Sequence, residues 1–361
     1  MKNLSIKKVL VITGDFIVPP KFYGGEERVV DLLCSTLQKK GIKVNLMAGK
    51  GSKKYGGLLY TYSSLVPYSK NYFSRIYNRI HFTAGLLWLG KDVDLIYSFK
   101  NWPEYIWPIR LIYKKAIFFH DGNTVSKNVV NRMFKIFNKN CKFVVVSEDQ
   151  KKNVPSEYLE KTHVLKNPII GYSQNQIRKS ISLRSELNIK TSPLLFLGRL
   201  TYDKGVDLAI KLALEKNKKL IILGPVKNDE KGQLEFFDKK IKPFLSSQIV
   251  YLGSADNKKK LHYIRKASAL LMLNRWRDPC PLTMAEATAM GCPLIGTKIG
   301  SLPENIKDGV NGFLGDTFEE WKYFLDLIDK NAINPDKCSN YSLEIFSPNK
   351  FEKDFFKIVT K

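Results

Sequence analysis

The sequence predicts an α/β chain of two doubly wound, Rossmann-like parallel sheets facing a cleft, and three observations carry that prediction. Ten short aliphatic runs alternate with longer segments of mixed polarity. They divide five and five around Asn167-Pro168 and the polar stretch Gly171–Ser185. Three runs of the second half end in Leu-Gly, at Gly198, Gly224 and Gly253. Strand-like runs separated by helix-length segments imply parallel strands covered by helices. The chain of 361 residues is long enough for two such domains, expected over 1–168 and 169–346, with 347–361 as a terminal helix.

In the first half the runs are Val9–Thr13, Val44–Met47, Leu95–Ser98, Ile117–Phe119 and Phe143–Val146. Asp15 interrupts the first apolar stretch and no small-residue cleavage site follows, so it reads as a strand rather than a signal peptide. Tyr23-Gly24-Gly25-Glu26-Glu27-Arg28 then opens a helix bearing Val29, Val30, Leu32, Leu33 and Leu37. Two glycines before a helix N-terminus let a phosphate or sugar approach the amides. The pattern is not the GxGxxG of hydride-transfer folds. The basic, aromatic stretch Tyr68–Phe82 sets Tyr72, Phe73, Ile76 and Ile80 at helical spacing beside Lys70, Arg75 and Arg79. That composition suits a membrane-surface helix, and equally an amphipathic helix covering the sheet. Asp92-Val93-Asp94 spells a D-x-D, but it lies at the amino end of its strand, away from the ligand edge. It reads as strand punctuation, and no metal is expected. His120, at the end of Ile117–Phe119, is expected to face the cleft.

The second-half runs are Leu194–Leu197, Leu220–Leu223, Ile249–Leu252, Leu270–Leu273 and Leu294–Ile295. Ligands of such sheets bind beyond the carboxyl ends of the strands, so the residues that follow each run are the ones to inspect. Leu197–Gly205 presents Arg199 and Lys204, a rigid fork and a mobile point charge suited to a diphosphate. Further on, Asp278 and Glu286 flank a Pro-rich turn that runs into a helix start. There Leu282 and Thr283 would offer backbone N–H groups to a sugar or phosphate while the carboxylates accept from hydroxyls. Ser347–Lys361 is amphipathic, with Phe351, Phe355, Phe356 and Ile358 on its apolar side.

Composition excludes several classes. A hydrophobic content of 44% with 12% aromatics rules out disorder. The longest apolar runs fall far short of the roughly 20 residues that span a bilayer. Five scattered cysteines without a CxxC pair, and four scattered histidines, indicate neither a disulfide framework nor a zinc site. A cytoplasmic protein is expected, or one peripheral on the cytoplasmic face of a membrane. Lys and Arg exceed Asp and Glu by 25, and residues 1–168 carry a net +16 of that. Such a field attracts anionic membranes, nucleic acid or phosphorylated substrates; a Lys-rich composition serving only solubility would have the same sign.

Four segments resemble the retaining glycosyltransferases of the GT-B fold, in particular glycosyltransferase family 4, the glycosyl transferases group 1. Asp278–Glu286 is similar to their E-x7-E signature, with Asp278 in place of the first Glu. Leu197–Gly205 resembles G-R-L-x-x-x-K-G, Tyr23–Arg28 a Gly-Gly-x-Glu-Arg loop, and Gly300–Glu304 with Asp308–Phe313 the closing segment. The likeness is good from Leu194 to Leu314 and thin in the first half.

The resemblance implies a GT-B hexosyltransferase that moves a sugar from a nucleotide-diphosphate sugar, a UDP-sugar favoured, to a hydroxyl of a glycan or lipid-linked acceptor. It implies retention, no metal and no cofactor beyond the donor, within cell-surface glycan or lipopolysaccharide-type synthesis. Arg199 and Lys204 would bind the diphosphate, Glu286 the ribose hydroxyls and Asp278 the transferred sugar. His120 would lie beside the reacting sugar. Gly24 and Gly25 would border acceptor and donor phosphate, and Gly198, Gly253, Leu282 and Thr283 would line the donor. The terminal helix would cross back to the first domain. An anionic membrane surface is an expected partner and nucleic acid is not.

Two departures from the family pattern keep other readings open. Asp reaches about 1 Å less than Glu, and Cys280-Pro281 replaces the usual Phe-Gly, removing one N–H. A non-catalytic basic binder of glycan or nucleic acid on a degenerate scaffold, or a nucleotide-sugar epimerase of the same fold, would fit those changes.

Overall fold

A computed structural model describes residues 6–20, 24–62, 72–226 and 232–360. The chain divides into two compact units, one of residues 1–166 with 352–361 and one of residues 167–351. Each is built around a parallel sheet with helices between most successive strands, the α/β architecture that the alternating runs predict.

The first sheet comprises β1 (Lys8–Ile12), β2 (Lys43–Gly49), β3 (Gly56–Tyr62), β4 (Leu95–Ser98), β5 (Ile117–Asp121), β6 (Cys141–Val145) and β7 (Thr162–Val164), ordered β3-β2-β1-β4-β5-β6-β7. β1 pairs on both sides, Val9 with Val44 and with Leu95. Alternation along the strands sends Leu10, Ile12, Ile96, Phe119 and Val145 into one core. The Tyr72–Gly90 helix adds Phe82, Leu86 and Leu89 to it, and the Lys127–Phe137 helix adds Val130, Met133 and Phe134.

In the second unit β8 (Leu194–Leu197), β9 (Leu220–Leu223), β10 (Ile249–Tyr251), β11 (Leu270–Met272), β12 (Leu294–Gly296) and β13 (Gly312–Leu314) are ordered β10-β9-β8-β11-β12-β13. The strand order reverses at β8, which pairs with β9 on one side and β11 on the other. That is a topological switch point, where doubly wound sheets present the loops that hold ligands. The core is Phe196, Ile222, Leu271 and Ile295 under Val206, Ile210, Trp321 and Leu325.

All ten predicted runs are strands. The three that the runs did not announce, β3, β7 and β13, each close one edge of a sheet. An edge strand has one strand neighbour instead of two, so a short or glycine-led segment such as Gly56-Gly57 suffices there.

Residues Glu352–Lys361, the larger part of the Pro348–Val359 helix, belong to the first unit. Phe355 is buried with its ring 5.2 Å from that of Tyr97, and Lys40 pairs with Glu352 at 2.6 Å.

Candidate active site

Beyond β8 the chain passes through Gly198-Arg199-Leu200-Thr201 into a 3₁₀ turn, Tyr202–Lys204, and then the Val206–Glu215 helix. Gly205 joins turn to helix with φ +67°, and a Cβ there would run into the carbonyl oxygen of Leu273. Only glycine tolerates both the left-handed backbone and that approach, which seats the Lys204 turn on the end of β11. The loop after β11 is then tied to the same turn. The N–H groups of Arg275 and Trp276 donate to the Asp203 carbonyl at 2.7 and 3.3 Å. The Arg275 guanidinium makes a two-pronged bond to Asp207 at 2.8 and 2.7 Å and donates to the Tyr202 carbonyl.

This lacing brings Lys204 and Asp278 together. The Lys204 ammonium donates to Asp278 Oδ2 and lies 4.6 Å from the centre of the Trp276 ring. The Asp278 backbone is fixed from the other side by Gly300 at φ +61°, where a Cβ would come within 2.7 Å of Asp278 N. Ser301 N–H donates to the Asp278 carbonyl at 3.0 Å. The Leu282–Ala289 helix follows with Pro281 at its N-cap, no side chain capping it and no acidic residue in its first turn. Its leading N–H groups at Leu282 and Thr283 are thus positioned as anion donors. Three buried polar atoms, Thr201 Oγ1, Asn274 Nδ2 and Ser301 Oγ, have no hydrogen-bond partner among the described residues. The Arg199 side chain likewise makes no hydrogen bond or ion pair among them. The strand-end glycines also meet: Gly198 N–H donates to Leu223 O at 3.0 Å and Gly224 N–H to Gly253 O at 2.9 Å.

Glu286 stands differently. Its side chain is fully buried, and its two oxygens receive the Lys260 ammonium at 2.8 and 2.7 Å. Lys260 is a residue that the sequence reading missed. It is the third lysine of Lys258-Lys259-Lys260 in the Asn257–Lys266 helix, four residues before buried Ile264. Helical spacing, not the lysine run, was the signal.

In the first unit, Gly24 and Gly25 do start the Gly25–Lys39 helix, but its first turn carries Glu26 and Glu27. Acidic residues there already complement the helix dipole and oppose an incoming phosphate. Glu26 pairs with Lys100 at 3.2 Å, and Asp121 lies close enough to both to interact electrostatically. Burial pushes the Glu26 and Asp121 carboxyls up, an effect that Lys100 partly opposes. Lys100 and Asp121 line a pocket of about 200 Å³ with Asn101, Trp102 and Asn123. Inspecting the residues after Leu95–Ser98 would have found Lys100.

β5 continues to Asp121, so His120 lies within the strand, and it is buried. Its Nδ1 shares a 2.8 Å hydrogen bond with the Tyr97 hydroxyl and its ring stacks on Phe99. Burial lowers its pKa to about 3, which keeps it neutral. Asp94 accepts from the N–H groups of Lys7 and Lys8, so the D-x-D carboxylate secures the start of β1. Among the described residues, no group of three His, Cys, Asp or Glu side chains could hold a metal ion. No helix among them is long and apolar enough to cross a membrane.

Residues 177–344, within the second unit, match the family model described as glycosyl transferases group 1. An uncharacterized 41.2 kDa protein in the cps region of Klebsiella pneumoniae is 31% identical over 184 residues, covering 50% of this chain and 45% of that protein. The alignment thus spans about half the length of that relative. The lipopolysaccharide 1,2-N-acetylglucosaminetransferase of Salmonella typhimurium is 22% identical over 273 residues, 66% of this chain and 72% of that enzyme. Among solved structures, Anabaena HepE in complex with UDP and glucose superposes with a TM-score of 0.72 over 99% of this chain and 100% of that one, at 14% identity. At that identity the likeness establishes the fold, a pair of Rossmann-like domains of the GT-B type.

Proposed function

We propose that the protein is a GT-B glycosyltransferase whose second unit holds a nucleotide-diphosphate sugar, a UDP-sugar in the favoured case. The sugar passes, with retention and without a metal, to a hydroxyl of a glycan or lipid-linked acceptor in surface-polysaccharide or lipopolysaccharide-type synthesis. The observation that carries this reading is the Lys204–Asp278 pair, which joins the turn that follows Arg199 to the segment leading into the uncapped Leu282–Ala289 helix. Cations, free amides and a hydroxyl acceptor are what a sugar diphosphate requires.

In the reaction the bond between the anomeric carbon and the diphosphate oxygen breaks, and the electron pair leaves with the diphosphate. The acceptor oxygen bonds the same face of that carbon, and its proton passes to the departing phosphate. Arg199 and Lys204 meet the charge that grows on the leaving group, where stabilisation lowers the barrier. As the diphosphate draws the Lys204 ammonium, Asp278 is released to accept from a sugar hydroxyl. Glu286, whose oxygens also hold Lys260, would accept from the ribose hydroxyls.

Calorimetry with UDP-glucose and the other UDP-, GDP-, ADP- and dTDP-sugars tests the donor assignment. Arg199→Ala with Lys204→Ala should abolish binding of the preferred donor while the circular dichroism of the fold persists; unchanged affinity in the double variant refutes the assignment. Product analysis separates transfer, which consumes an acceptor, from epimerisation, which releases a free sugar isomer, and from binding alone.

A further inference from the structure

We propose that the outward face of the Tyr72–Gly90 helix is a docking surface for anionic lipid. The helix has two apolar faces. Phe82, Leu86 and Leu89 point into the core of the first unit. Phe73, Ile76, Tyr77, Ile80, Ala84 and Trp88 fall on the opposite side, within an arc of about 120° at 100° per residue. A helix that only covered a sheet would be polar there. Instead Phe73 is 79% exposed, Tyr77 67%, Ile80 64% and Trp88 55%. Trp107 and Leu111, on the 3₁₀ turn that packs beside this helix, are exposed as well. Residues Tyr68–Asn71 of the basic aromatic stretch lie outside the described residues.

Charge selects the occupant. Residues 1–168 carry a net charge of +16. Two copies meeting through this face would set two such cationic units against one another, at a cost. An anionic bilayer instead supplies the missing negative charge, roughly 1 kcal/mol for each nearby Lys or Arg. It also accepts Trp and Tyr at headgroup depth and aliphatic side chains just below. The inference does not depend on the donor chemistry of the second unit, and its test is separable from that reading.

The experiment is co-sedimentation of the full chain with vesicles of phosphatidylcholine alone and of phosphatidylcholine with phosphatidylglycerol in equal parts. Binding is expected to the mixed vesicles only, weakening as salt rises from about 0.1 M to about 0.5 M. Joint Ile76→Ser, Tyr77→Ser and Ile80→Ser should lower it at least ~10-fold. Leu234→Ser with Phe244→Ser, at exposed apolar positions of the second unit, should leave it unchanged. All three substituted positions are exposed, and circular dichroism with thermal unfolding of the triple variant serves as the check that it folds. Equal binding to both vesicle types overturns the proposal, as does undiminished binding by the triple variant. A wild-type dimer that the triple variant dissociates also overturns it, since the face would then join two copies.

Discussion

Lys204 and Asp278, 74 positions apart in sequence, form a largely buried ion pair at the carboxyl edge of the second sheet. The pair links the two segments that carry the sugar-diphosphate reading. With its backbone held by the Gly300 approach, the Asp278 carboxylate reaches the ammonium.

Removing either partner should therefore cost more than removing both. Lys204→Ala leaves Asp278 partly buried without its cation, a loss of about 3 kcal/mol. The double variant with Asp278→Ala should recover about 1–2 kcal/mol of that. Urea unfolding of the four proteins gives the coupling, and additive losses would show that the pair contributes nothing.

Restoring the longer side chain should shift chemistry more than stability. Asp278→Glu adds a methylene, about 1 Å of reach, past the Lys204 ammonium and toward the sugar. Affinity for the bare nucleoside diphosphate should hold within about 3-fold while preference among its sugars changes. Competition calorimetry measures both, and an identical sugar ranking would argue against Asp278 touching the sugar.

Lys260 and Glu286 are the more deeply buried pair, so Glu286→Leu alone should destabilise by about 3–5 kcal/mol by stranding the ammonium. Adding Lys260→Met should restore most of the loss while nucleotide binding stays weak. Recovery of both stability and affinity would remove Glu286 from the donor site.

Gly205→Ala tests the seat of the turn. An alanine at φ +67° pressed on the Leu273 carbonyl should cost more than ~2 kcal/mol and weaken nucleotide binding, because Lys204 precedes it directly. A neutral outcome in thermal unfolding would mean that the turn is not held against β11.

His120 predicts a pH dependence. Its folded pKa of about 3 lies below the ordinary 6.5, so the unfolded chain binds the extra proton between these values. The stabilisation is complete above pH 6.5 and is lost as pH falls toward 3, with a slope of up to about 1.4 kcal/mol per pH unit. Glu26 and Asp121, whose carboxyls are raised, act with the opposite sign in mildly acidic solution. Comparison with His120→Gln cancels their contribution. The wild-type advantage should shrink on acidification, and a constant difference from pH 7 to 4.5 would be the contrary result.

Sequence by itself determined the architecture and marked the segments from which the proposed donor site is built. Aliphatic alternation is a local property, and every interior strand announced itself, whereas β3, β7 and β13 escaped because an edge asks less of its residues. The segments around Arg199, Lys204 and Asp278 were equally legible, since loop chemistry at strand ends is written in consecutive residues. What only the tertiary structure decided was pairing. Asp278 takes Lys204, Glu286 takes Lys260, Glu26 takes Lys100, and His120 withdraws beneath Tyr97 and Phe99. Each partner comes from a distant strand end or helix, and which charges meet there depends on strand order and register. The same holds for the Tyr72–Gly90 helix, whose spacing fits either a covering or a surface helix until the sheet takes one of its two apolar faces.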